Sequence, residues 1–179
     1  MSARKTLAIM TAVAALIAGP VLSAQASTTV PTGSAHAGQT RAAGLTDRQA
    51  AELRDRVDAV LAQDPRARQI SANTLTTEGG TVTVAVPGRS ETRDLAAPAA
   101  APACADGHLC VQDGRGYIYD YYRCGYYDFD GIGDGTFNNN QTPGTRARFY
   151  NQDGSERWSN VAKSTGTASW SPVYHIRPC

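Results

Sequence analysis

The chain has 179 residues, with 17 Lys and Arg against 16 Asp and Glu for a net charge of +1. Such a balance supplies no bulk attraction to nucleic acid or to an anionic membrane surface, so neither is expected as a partner. The four cysteines all lie from Cys104 onward, and an even count in an exported chain favours two disulfides over reactive thiols.

Export is the expectation because Arg4 and Lys5 precede an apolar run from Leu7 to Ala18, and Ala24-Gln25-Ala26 supplies the small-x-small pattern of a cleavage site. Residues 1–26 therefore read as a secretory signal peptide and the product as extracellular. The apolar run is shorter than the roughly 20 residues that span a bilayer, and Gly19-Pro20 ends it. Residues 27–44, rich in Ser, Thr, Gly, Ala and Pro without an apolar period, read as a disordered leader.

At Thr46 the character changes. Leu45-Thr46-Asp47-Arg48-Gln49 places a Thr cap with Gln at the third helical position, a capping box with an apolar residue before it. Ala50, Leu53, Val57, Val60 and Leu61 then recur at helical spacing until Asp64-Pro65 stops the pattern. Residues 69–76 and 81–86 are β-prone and joined through Glu78-Gly79-Gly80, which predicts a hairpin. Residues 45–90 thus form a small α+β helix-hairpin segment. It is marginal as a free-standing domain, so it is expected either to dock on the C-terminal half of the chain or to act as a pro-region. Residues 91–103, rich in Ala and Pro towards their end, read as a linker.

From Cys104 to Cys179 no helical period appears, while short β-prone runs alternate with turn residues, so this domain reads as all-β. Strands are expected at Leu109–Gln112, Tyr117–Tyr122, Thr145–Tyr150, Arg157–Val161 and Val173–Ile176. Gln112-Asp113-Gly114 and Gln152-Asp153-Gly154 stand forty residues apart, the spacing of one four-stranded Greek-key motif used twice. The cysteines alone permit three pairings.

The segment Ala101-Pro102-Ala103-Cys104-Ala105-Asp106-Gly107-His108-Leu109-Cys110 resembles the mature amino terminus of the Streptomyces-type metalloproteinase inhibitors. Phe137-Asn138-Asn139-Asn140-Gln141-Thr142, Phe149-Tyr150-Asn151, Trp170 and Cys179 extend the resemblance over residues 101–179. It implies a βγ-crystallin-like Greek-key sandwich, pairing of Cys104 with Cys110 and of Cys124 with Cys179, and inhibition of an extracellular protease. The family prototype presents its protease-binding bond on a second short disulfide loop. This chain has no second closely spaced cysteine pair, so no reactive-site residue is carried over.

Two tethered segments are candidates for protease contact: the Cys104–Cys110 loop, and Gly125-Tyr126-Tyr127-Asp128-Phe129-Asp130 after Cys124. Tyr117, Tyr119 and Tyr121 share one face of a strand; with Tyr126 and Tyr127 they are the candidates for binding a protein or a cell-wall glycan, since tyrosine offers contact area at low entropic cost. Asn138, Asn139 and Thr142 resemble the core of microbial βγ-crystallin calcium loops, which makes calcium the one cofactor considered. The Asp128–Gly135 stretch fails the EF-hand pattern, with Ile132 at the third ligand position and Asn139 where the bidentate Glu belongs. His36, His108 and His175 form no His-x-x-x-His pair, and no Gly-x-Ser-x-Gly elbow is present, so catalysis is not expected. The leading expectation is a secreted, non-catalytic peptidase inhibitor. Its alternative is a calcium- or glycan-binding module.

Overall fold

The computed structural model describes residues 36–97 and 104–179. The signal peptide expected at 1–26 lies outside the described residues, as does the first half of the leader, residues 27–35. Two helices open the described chain, α1 (Ala37–Ala42) and α2 (Asp47–Gln63). The Thr46 side chain accepts from the Gln49 amide and the Gln49 side chain accepts from the Thr46 amide, which closes the capping box. The short helix α1 corrects the expectation of a leader without structure up to residue 44. It is held from outside: the Ala72 amide donates to Gln39 Oε1 at 2.6 Å, and Thr40 is buried.

The rest is strand: β1 (Arg68–Gln69), β2 (Thr74–Thr76), β3 (Gly80–Thr83), β4 (His108–Gln112), β5 (Ile118–Tyr121), β6 (Tyr127–Asp128), β7 (Asp134–Asn140), β8 (Arg146–Tyr150), β9 (Glu156–Val161), β10 (Ser164–Ser169) and β11 (His175–Arg177). They form a seven-stranded sheet in the order β1-β2-β3-β5-β4-β7-β10 and a four-stranded sheet in the order β6-β11-β8-β9, with every pairing antiparallel. The five strands expected from Leu109 onward are present with ends shifted by a residue or two; the stretch expected as one strand at 69–76 is instead split into β1 and β2, which pair with each other, the 81–86 strand stops at Thr83, and β6, β7 and β10 lie outside the expected set.

From β4 onward the strands fall into two sets of four, β4–β7 and β8–β11. In each set the first, second and fourth strands lie in one sheet and the third lies in the other. The two Gln-Asp-Gly segments occupy equivalent places, one between β4 and β5 and one between β8 and β9. The larger sheet then continues past β5 into β3, β2 and β1. Through the β3–β5 pairing the sheet therefore joins the segments on either side of the linker expected at residues 91–103.

Register shows how complete this continuity is. Leu75, Val82, Tyr119, Val111, Phe137 and Gly166 face one another in a single row across six strands. Beside that row Leu53, Val57 and Val60 of α2 join Leu75, Val82 and Val84 in one core, which extends through Tyr119 and Phe129 to Phe149, Trp170 and Ile176. Phe149 stacks on Trp158 at 3.9 Å between ring centroids, and Trp170 Nε1 donates to the Gln112 carbonyl at 2.9 Å.

Residues 91–95, expected to begin a linker, are instead fastened down. The Asn73 side chain, fully buried, donates to the Val84 and Arg93 carbonyls and accepts from the Leu95 amide, and Thr92 Oγ1 donates to the Gly116 carbonyl at 2.6 Å. A buried amide with all these partners acts as an internal strut between the hairpin and the chain that leaves it. Two disulfides are formed, Cys104–Cys110 and Cys124–Cys179. They fit an oxidising, extracellular setting, and no described helix is long and apolar enough to cross a membrane.

Candidate functional site

After β5 the chain leaves the large sheet at Tyr122, crosses to the small sheet and enters it as β6. The crossing segment is held from several directions. The Tyr122 and Arg123 amides donate to the Gly79 carbonyl at 3.1 and 3.2 Å, so the hairpin turn braces its start. The Cys124–Cys179 bridge ties its middle to the chain beyond β11, with the two Cα atoms 5.2 Å apart. Tyr127 folds back so that its hydroxyl donates to the Cys124 carbonyl at 3.1 Å. β6 then pairs with β11, and the Phe129 amide donates to the Tyr174 carbonyl at 2.8 Å. Two glycines permit this closeness. A Cβ at Gly125 would run into the Tyr127 ring, and one at Gly79 would sit 2.8 Å from that ring and 2.9 Å from Tyr121.

The side chains that face outward from this braced segment are Tyr122, Arg123, Tyr126 and Asp128, all exposed. Tyr126 is 50% exposed, and its ring lies 5.0 Å from His175 and 5.1 Å from Tyr150. His175 Nδ1 in turn stands 2.9 Å from Asp128 Oδ1. Beneath the segment is a cleft of about 340 Å³. Its floor is Val82, Tyr119 and Tyr121 of the sheet, and its walls are the end of α2, the Glu78-Gly79 turn and Tyr126–Asp130.

Behind the cleft lies a buried polar network. Asp113, with a side chain fully removed from solvent, accepts from the amides of Arg115, Tyr117 and Ile132 and from Arg115 Nε at 2.7 Å. Arg115 also donates to the Tyr119 hydroxyl and the Asp130 carbonyl, and Tyr119 donates to Asp130 Oδ1 at 2.8 Å. Burial pulls the Arg115 pKa down, but Tyr119, Asp113 and Asp130 more than offset it, and the guanidinium holds its proton above the usual arginine value. Burial, then the Asp130 carboxylate, pushes the Tyr119 phenol far above the tyrosine range. The network fixes the turn after β4 to the segment before β7.

Tyr117, Tyr119 and Tyr121 do share a face, but that face is the core side: they are 6%, 3% and 5% exposed. The expectation that their ring faces stack on a partner or a glycan is corrected accordingly, because the three rings belong to the core, where Phe129 packs edge-on against Tyr119; Tyr119 and Tyr121 reach the surface only at the cleft. Tyr126 and Tyr127 keep access through the cleft and the braced segment. The calcium set also needs correction. Asn138 and Asn139 are neighbours on β7 and point to opposite faces, Asn139 inward to donate to Asn160 Oδ1 at 3.1 Å, while Thr142 is exposed in the following turn. Asn139 Oδ1 and Gln141 Oε1 are buried without a partner among the described residues.

The Cys104–Cys110 loop leads into β4, where the His108 ring lies 5.3 Å from that of Tyr122. Asn140 braces it, donating to the Cys104 and Ala105 carbonyls, and Lys163 pairs with Asp106. Asp106, kept below the usual carboxylate range by its hydrogen bond to Lys163, is exposed. Two His–Asp pairs escaped sequence reasoning, His108 with Asp120 at 2.6 Å and His175 with Asp128. Each joins residues on neighbouring strands, which only a register reveals. Among the described residues no three His, Cys, Asp or Glu side chains gather as metal ligands. No family model matches the chain, and neither a curated protein nor a solved structure matches it.

Proposed function

We propose that the chain is a secreted peptidase inhibitor that occludes an extracellular metalloprotease with its disulfide-stiffened β-domain, and that the Tyr122–Asp128 segment makes the contact. The observation that carries this reading is the bracing of that segment by the Gly79 carbonyl, the Tyr127 hydroxyl, the β11 ladder and the Cys124–Cys179 bridge. An inhibitor of this kind docks without being hydrolysed to products that leave, and it does so best when the docking segment loses little freedom on binding. Two protruding tyrosine rings and an arginine on such a frame are the residue types that anchor protein interfaces.

Support for a βγ-crystallin-like Greek-key domain comes from the exchange of third strands between the sheets, with the fourth strand of each set lying beside the first. The alternative of a calcium- or glycan-binding module has less behind it, because the tyrosine face is core and the oxygen set does not converge.

The test is inhibition of a thermolysin-type metalloprotease, with a serine protease as control, by the full secreted chain in oxidised and reduced forms. Tight inhibition that disappears on reduction and weakens at least tenfold in Tyr126→Ala supports the proposal. Absence of inhibition by the intact oxidised chain rejects it.

A further inference from the structure

The cleft under the braced segment has walls whose chemistry is unusual for a surface depression. Above the Tyr119 floor it presents the rings of Tyr121, Tyr126 and Tyr127, with Tyr121 and Tyr127 stacked at 5.9 Å and 15°. Four carboxylates join them, Asp64, Glu78, Asp128 and Asp130. Arg66 pairs with Glu78 at 2.6 Å and Arg115 with Asp130 at 3.3 Å, which leaves Asp64 and Asp128 as the charge without an arginine among the described residues. Asp64 Oδ1 accepts the Arg66 amide, and the Asp128 side chain is 92% exposed beside His175.

A second observation points to a ligand independently of the carboxylates. Tyr121 is buried, at 5% exposure, yet it lines the cleft and its hydroxyl makes no hydrogen bond with any described residue. The oxygen is not among the buried atoms left without a partner, so this otherwise buried side chain opens to the cleft at its hydroxyl. Burial, then the charge of Asp130 and the Tyr127 ring beside it, hold this phenol well above its usual pKa, so the group offers a neutral oxygen.

We infer that the cleft takes the guanidinium of an arginine side chain from a protein partner. A planar cation lies against tyrosine faces, its fork reaches carboxylate oxygens in the rim, and a neutral hydroxyl at the floor accepts one of its N–H groups. The cleft volume, about 340 Å³, is at the lower end of small-ligand pockets and suits one side chain better than an extended molecule. A lysine ammonium matches the charge but not the flat tyrosine walls. A sugar matches the rings but leaves the carboxylate excess unused. This goes beyond protease inhibition, since the ligand chemistry is read from the cleft walls alone.

The test uses the full oxidised chain and N-acetyl-arginine amide as the probe, followed by backbone amide shifts in NMR. N-acetyl-citrulline amide, neutral and of the same shape, and a methyl glucoside serve as controls. The expected result is saturable movement of the Gly79, Tyr127 and Phe129 amides with the arginine probe, weakened by added salt and absent with citrulline. Tyr121→Phe, which deletes only the hydroxyl, should weaken binding by about tenfold or more, the effect of one hydrogen bond to a charged group. The exposed Asp128→Asn should weaken it too and leaves the core untouched. Equal shifts with citrulline, shifts with the glucoside alone, or no shift at all overturn the inference. Probe binding in a chain that inhibits no protease keeps this inference and removes the previous proposal; inhibition without probe binding does the reverse.

Discussion

Replacing Leu53 by Ala tests whether the helix-hairpin segment and the β-domain are one cooperative body. Leu53 is fully buried on α2, and removing a buried leucine side chain to its Cβ costs about 2–5 kcal/mol, with about 3 expected at a site hemmed in by sheet. At the unfolding entropies usual for a protein of this size, that loss lowers the melting temperature by roughly 6–12 °C. The two tryptophans report on the β-domain rather than on α2: Trp158 lies on β9 of the smaller sheet and Trp170 follows β10 of the larger one. The assay is paired melting, followed by far-ultraviolet helix signal and by tryptophan fluorescence. Since one row of side chains runs from Leu75 through Tyr119 to Phe137, both signals should shift together and by the same amount. A helix signal that melts early while the tryptophan transition stays in place would show that the continuous sheet is not a cooperative unit.

Two further perturbations address what holds the braced segment. Cys124→Ser with Cys179→Ser opens a loop of sequence separation 55; loop-closure entropy puts the loss at about 4 kcal/mol, read as a lower denaturant midpoint, with proteolysis beginning between Tyr122 and Asp128. Arg115→Met leaves the Asp113 carboxylate buried with only its backbone donors, at a cost of roughly 2–3 kcal/mol, below the full figure for breaking a buried pair because the guanidinium is partly exposed. An unchanged midpoint in chemical denaturation would count against the network.

Helix α2 was legible because every signal for it is local: the Thr46 cap, the Gln49 partner, the spacing of Leu53, Val57 and Val60, and the Pro65 stop. The tyrosine strand was equally plain, but its direction was not, since the covering helix comes from about sixty residues earlier in the chain. β7 was hidden by composition. Asp134-Gly135-Thr136-Phe137-Asn138-Asn139-Asn140 reads as turn residues, and only its place between β4 and β10 makes it a strand. β10, Ser164–Ser169, has no large side chain at all; Gly166 is there because a Cβ would meet the Phe137 ring at 2.9 Å. Of the candidate site, Tyr126 and Tyr127 could be found from their place after Cys124, whereas the cleft could not, because its walls come from three separated stretches of chain.

The exchange of third strands constrains the order in which the molecule can be assembled. β11 lies between β6 and β8, so the smaller sheet has no middle until residues 175–177 are in place. β6 meanwhile has nothing to pair with on its own side of the molecule, and β10 likewise belongs to a sheet begun far upstream. A chain emerging from its amino terminus therefore cannot lay down these layers one after the other. β7 can pair with β4, β8 with β9 and β10 with β7 as each appears, but β6 must wait for the last strand to come between it and β8, and long-range closure of this kind is the slow step of β-rich folding.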